Sequence, residues 1–162
     1  MSNDASLFFT DDLGYSVTIT PQVTELIRSN CVKAGGNETG GILIGKYIEN
    51  GHIAVVTEAT GSPEDSISGR TSWQRGKKGL KALLADRWKE GLWYLGEWHF
   101  HPGSSPAPSG ADIKAMTDIS TTGEYQCKAP LLLIAGGTPP DRLSISITVF
   151  PAGKSSVSLF TQ

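Results

Sequence analysis

The chain has 162 residues, which suits one globular domain and leaves no room for a second of full size. With 38% apolar residues and 19 glycines, its composition is that of a folded protein and excludes a wholly disordered chain. Fourteen Lys and Arg against 16 Asp and Glu leave a net charge of −2, so no overall basic field exists to hold nucleic acid or an anionic membrane.

At the N-terminus, Met1-Ser2-Asn3-Asp4 lacks the basic and apolar regions of a signal peptide. Residues 1–6 read as a flexible lead to one domain over 7–162, and a cytoplasmic location is expected. Thr20-Pro21 offers an N-cap and a first-turn proline, and Val23, Leu26, Ile27 and Cys31 then fall on one helical face before Gly35-Gly36 ends it. Ile42-Leu43-Ile44 and Ile53-Ala54-Val55-Val56 are runs of strand length joined across Glu49-Asn50-Gly51, which predicts an antiparallel pair. Residues 61–71, rich in Gly, Ser and Pro, read as a surface loop. Leu80, Leu83, Leu84 and Trp88 recur at helical spacing among Lys77, Lys78, Lys81 and Lys89, giving a second helix with a solvated basic face.

A strand over 92–100, a Pro/Gly/Ser loop, a short helix near 111–119 and apolar runs at 131–135, 143–150 and 157–160 complete the pattern. The fold class is α/β, a mixed sheet with two or three helices. The longest uninterrupted apolar run, 131–135, is far short of the roughly 18 to 20 residues that span a bilayer. Cys31 and Cys127 form no CxxC pair, so a disulfide framework or an all-cysteine metal site is not suggested and both are expected to be reduced and buried. Trp73, Trp88, Trp93 and Trp98 are expected in the core or in a groove.

Two of the three histidines stand two apart in Glu97-Trp98-His99-Phe100-His101-Pro102. On a strand they share one face, with Trp98 and Phe100 on the other. Such a pair suits zinc, which takes imidazole nitrogen and carboxylate oxygen in open catalytic sites. Asp112, beyond the stiff segment 102–108, falls in the first turn of the next helix and is the candidate third ligand. Each residue also has a blander explanation. Ser109-Gly110-Ala111-Asp112 fits a capping box, the histidines fit backbone-bonded structural residues, and His52 beside the turn fits an exposed one.

Taken together, Glu38-Thr39-Gly40-Gly41, then Gly96-Glu97-Trp98-His99-Phe100-His101-Pro102, then Ser109-Gly110-Ala111-Asp112 resemble the JAMM/MPN-plus, or JAB-domain, metalloproteases over roughly residues 13–150. The resemblance implies the MPN fold, which is cytidine-deaminase-like with a largely antiparallel sheet. It further implies Zn2+ held by His99, His101 and Asp112 with a water as fourth ligand, Glu38 as general acid/base activating that water, and Ser109 as donor to the oxyanion. Gly40 and Gly41, without Cβ atoms, are expected to admit an extended substrate tail beside Glu38. Proximity alone favours Glu97 as base, since it shares the strand face of His99, but the resemblance assigns that role to Glu38.

Members of this family cleave isopeptide or peptide bonds after the C-terminal glycine of ubiquitin-like modifiers. The single domain and the Gly-Glu-Trp-His-x-His-Pro stretch resemble bacterial JAB isopeptidases of antiphage operons of the CBASS type, which release a conjugated nucleotidyltransferase. The expected partner is therefore a protein substrate, with no nucleic acid and no membrane. Substrate-gripping elements are expected in 61–71 and 121–128 by analogy with the family. The alternatives are a JAB peptidase trimming a sulfur-carrier protein, a non-catalytic MPN scaffold, and a metal-free binding domain. The scaffold reading is opposed by the presence of all three ligand positions.

Overall fold

A computed structural model describes residues 5–48 and 52–161. In chain order the elements are β1 (Leu7–Thr10), β2 (Ser16–Ile19), α1 (Pro21–Ala34), β3 (Thr39–Ile48), β4 (Ile53–Ala59), β5 (Ile67–Ser68), β6 (Trp73–Gln74), α2 (Leu80–Trp88), β7 (Trp93–Pro102), α3 (Gly110–Thr122), β8 (Leu131–Thr138), β9 (Arg142–Val149) and β10 (Val157–Thr161). The predicted α/β class is present, with a mixed sheet and three helices. One feature differs from the expectation of a sheet merely flanked by helices: eight strands close into a barrel in the order β1-β10-β9-β8-β7-β3-β4-β2. Closure comes from β1, which pairs antiparallel with both β2 and β10 and so leaves no free edge. Most neighbours are antiparallel, while β2 with β4 and β7 with β8 are parallel.

β3 and β4 pair antiparallel as their sequences predict. The Glu49-Asn50-Gly51 turn that joins them lies outside the described residues. Ile42, Leu43 and Ile44 are all fully buried, because β3 has protein on both of its faces. Inside the barrel, Leu43, Val56, Leu95, Trp98, Phe100 and Leu133 join Val23, Ile27 and Cys31 of α1 in one apolar cluster. Outside it, Leu80 of α2 packs with Ile42, Ile44 and Tyr94, and Met116 of α3 packs with Leu132 and Ile134. Arg87 of α2 forks onto Glu58 of β4 at 2.7 and 3.1 Å, tying that helix to the barrel. Burying side chains such as Trp98 and Phe100 stabilises by about 1.5 to 3 kcal/mol each, so this double-sided core is what holds β7 in place.

Two local expectations are corrected. Thr20 stands at the N-cap of α1, but its hydroxyl makes no capping bond and is buried without a partner. The fixed φ of Pro21 is left to start that helix. Residues 61–71 are not all irregular, since β5 folds back on β6 as a small antiparallel ribbon. Cys31 and Cys127 are free and buried, as expected. No helix among the described residues is long and apolar enough to cross a membrane.

Candidate active site

The alternation along β7 places Trp98 and Phe100 in the inner core and turns His99 and His101 to the other face. Their side chains are only 13% and 12% exposed, in a recess that α3 closes. The segment after His101 turns sharply, with Gly103 N–H donating to Gly137 O at 2.8 Å and Ser146 Oγ donating to Pro106 O at 2.5 Å, and so brings the start of α3 back over the strand. Asp112, the third residue of that helix, thereby lies 3.0 Å from His99 Nδ1 through Oδ1 and 3.3 Å from His101 Nε2 through Oδ2. One ligand atom from each of the three residues lies within 4.8 Å of the others.

The capping box is also present. Ser109 Oγ accepts from Asp112 N–H at 3.1 Å, and Asp112 Oδ2 accepts from Ser109 N–H at 2.8 Å. Capping and ligation are therefore not rival explanations, because the cap fixes the rotamer that aims Asp112 at both imidazoles. Burial works against ionisation of Asp112, but the bond to His99 and the bonds to Ser109 outweigh it and hold the carboxyl down at about 2. A convergent set of two imidazoles and one ionised carboxylate in a shallow recess fits the donor chemistry of an open zinc site.

Glu38 lies just before β3. Its backbone is clamped by the β5–β6 ribbon, with Glu38 N–H donating to Gly69 O at 2.8 Å and Ser68 Oγ donating to Glu38 O at 2.5 Å. Its carboxyl is raised above the usual range, first by burial, with His101 and His99 pulling it down and Asp112 pushing it up. The β3–β7 register, with Thr39 opposite Phe100 and Gly40 opposite His99, sets Glu38 at the end of β3 that lies alongside the two histidines. Glu97 is at the same strand face but is 3% exposed and fully engaged: Oε1 accepts from Arg75 Nε and Oε2 from the Tyr94 hydroxyl. A carboxylate with both oxygens committed is poorly placed to take a proton from water.

Gly40 and Gly41 pair with His99 and Trp98 across the β3–β7 ladder. A Cβ at Gly40 would overlap the Trp98 carbonyl oxygen and the Trp73 indole, and one at Gly41 would meet Thr60 and the Trp98 indole. The missing atoms make room for the fold itself, a reason for glycine that is independent of any substrate.

A scan against known families matches residues 20–147 to the prokaryotic homologues of the JAB domain. The chain belongs to that family. Among curated relatives, this JAB domain is 50% identical over 145 residues to a protein of Enterobacter hormaechei called "CD-NTase/cGAS isopeptidase", covering 90% of this chain and 81% of the relative. It is 32% identical over 140 residues to an Escherichia coli protein of the same description, covering 83% and 85%. Of solved structures, the solution structure of a Desulfitobacterium hafniense protein matches with a TM-score of 0.66 over 88% of both chains at 18% identity, a likeness of fold alone. By family and relatives the JAB domain is a hydrolytic isopeptidase.

Local sequence signals do not single out the side chains packed around His99 and Glu97. Trp73 packs edge-on against the His99 ring, with centroids 5.0 Å apart, and its indole N–H donates to Ser62 Oγ at 3.2 Å. Arg75, Tyr94 and Tyr125 surround Glu97. A buried carboxylate demands a cation or several donors, so Glu97 was itself a signal, but nothing in the chain order selects Arg75 from five arginines.

Proposed function

We propose that this chain is a zinc-dependent isopeptidase that releases a CD-NTase from the lysine to which its C-terminus is conjugated, as part of a bacterial antiphage system. The observation that carries the chemistry is the convergence of His99, His101 and Asp112, with Glu38 at the adjacent end of β3. The choice of substrate rests on the description shared by the two bacterial relatives. His99, His101 and Asp112 would hold the ion, which when bound supplies Lewis acidity and makes a water far more acidic than it is in bulk.

The chain's own residues supply the rest. Glu38, made more basic by burial, takes a proton from the attacking water and passes it to the departing lysine amine. Ser109 Oγ accepts a backbone N–H, which leaves its own proton free for the oxyanion that develops on the scissile carbonyl. Between α2 and β7 an apolar groove of about 710 Å³, lined by Leu80, Leu84, Trp88, Trp93 and Tyr125, offers a face for the folded body of the substrate. Trp88 and Trp93 are 62% and 46% exposed there, which is more aromatic surface than solvation alone explains.

The test is cleavage by zinc-loaded protein of a CD-NTase joined through its C-terminus to a lysine amine, with a sulfur-carrier protein bearing a C-terminal extension in parallel. The expected result is release of the CD-NTase with the carrier left intact. Cleavage of the carrier alone, or of neither, overturns the proposal.

A further inference from the structure

The segment 65–78 between β4 and α2 forms a flap with a pinned stem. Asp65 accepts from Lys77 N–H at 3.0 Å and Lys78 N–H at 2.9 Å, and Ser66 Oγ accepts from Gly76 N–H at 2.9 Å. At its tip the flap holds two residues of the site already described: Gly69 and Ser68 grip the Glu38 backbone, and Trp73 packs on His99 and in the space over Gly40. At the surface the stem residue Lys77 reaches Glu124, with Nζ donating to Oε1 at 2.6 Å. The buried tie to the barrel is Arg75.

The Arg75 guanidinium donates through Nε to Glu97, through Nη2 to the Tyr125 hydroxyl at 2.7 Å and through Nη1 to Gly76 O at 3.0 Å. The second Glu97 oxygen takes the Tyr94 hydroxyl, and the Tyr94 and Tyr125 rings stack with centroids 4.1 Å apart. Tyr94 and Glu97 reach the same side, although three residues apart, because the β3–β7 register slips between Leu43 and Ile44 at Leu95-Gly96. A Cβ at Gly96 would strike the Leu131 carbonyl, so glycine is required where the strand makes this step.

A buried ion pair of this kind gives little net stability over an apolar packing of equal volume, so its presence calls for another benefit. We propose that Arg75 is a positioning residue: through Glu97, Tyr94 and Tyr125 it registers the flap against β7 and thereby sets where Glu38 stands relative to His99, His101 and Asp112. No proton moves through this network. Its function is geometric, since a displacement of about 1 Å in a reacting group can cost about a hundredfold in rate. The consequence for turnover rests on the isopeptidase reading, whereas the placement of the flap does not.

The experiment compares wild type with Arg75→Met/Glu97→Met, which removes both charges together and leaves no unpaired ion in the core. Hydrogen exchange is read at Glu38 N–H and Trp73 Nε1–H, with Leu133 N–H in the barrel core as internal reference. The expected result is exchange at least tenfold faster at Glu38 and Trp73 with Leu133 unchanged, and turnover per bound zinc about 10- to 100-fold lower. Arg75→Lys, which keeps the charge but loses the fork to Tyr125 and Gly76, gives a smaller acceleration at the same two sites and serves if the double variant does not fold. Unchanged exchange at Glu38 and Trp73 in a folded variant overturns the proposal, whatever the activity. Faster exchange there, in a protein whose wild type cleaves no conjugate, supports the positioning role and counts against the isopeptidase reading alone.

Discussion

Gly40→Ala perturbs the site through a single methyl group. An alanine Cβ at this position overlaps the Trp98 carbonyl oxygen, which is backbone of the neighbouring strand, and the Trp73 ring on the flap. The indole can swing away, but the carbonyl cannot move without parting β3 from β7 at the Gly40–His99 pair. Overpacking of this kind costs about 1 to 3 kcal/mol, which for a domain of this size is about 2 to 12 °C in Tm. A Cβ only 2.3 Å from that carbonyl needs the strands to part by up to about 1 Å, which also moves Glu38 away from His99, and a turnover loss of up to about a hundredfold follows. Calorimetry and conjugate cleavage by zinc-loaded protein measure the two effects, with Gly36→Ala as control, where a Cβ meets nothing within 4 Å. A Gly40→Ala variant with wild-type Tm and wild-type turnover would mean that the β3–β7 pairing does not set the site.

Ser109→Gly keeps most of the helix cap, at a cost of a few tenths of a kcal/mol, yet removes the hydroxyl donor. Turnover is expected to fall about 10²- to 10³-fold with an unchanged Tm, as read by steady-state kinetics beside thermal denaturation. Chelation of zinc held at about a hundred times its Kd removes about 2.7 kcal/mol of stability, or about 5 to 10 °C in Tm, and readdition restores it. Tyr47→Phe deletes a hydroxyl that donates to Ala129 O at 2.7 Å, far along β3 from Glu38. The expected cost is about 1 to 1.5 kcal/mol in denaturant unfolding, with turnover per folded molecule unaltered.

What the chain order revealed, and what it hid, follows from how far each signal reaches. The period of two along β7 was enough to separate His99 and His101 from Trp98 and Phe100, and the three-residue spacing of Ser109 to Asp112 was enough to place the carboxylate in a first helical turn. These are local signals. Barrel closure depends on Phe9 pairing with Thr161 at the opposite end of the chain, and β1 and β2, four residues each, carry too little pattern to be read. The Arg75–Glu97 pair links a loop to a strand, and the register slip at Leu95-Gly96 breaks the alternation that would have put Tyr94 and Glu97 on opposite faces. Trp88 falls on the apolar stripe of α2 by spacing, but it stands 62% exposed because the stripe continues past the barrel wall into the groove. The Ser/Gly-rich segment 61–71 gave no hint that Ser68 and Gly69 hold Glu38, because both bonds involve main-chain atoms that composition does not distinguish.

We propose that Glu38 moves the proton at a site where His99, His101 and Asp112 would hold the metal. The most direct test is cleavage of the CD-NTase conjugate by wild type, Glu38→Ala and His101→Ala, each normalised to zinc content measured by elemental mass spectrometry on the same samples. The expected result is about one zinc per chain in wild type and in Glu38→Ala, none in His101→Ala, and cleavage by wild type alone. Near wild-type turnover by zinc-loaded Glu38→Ala would contradict it.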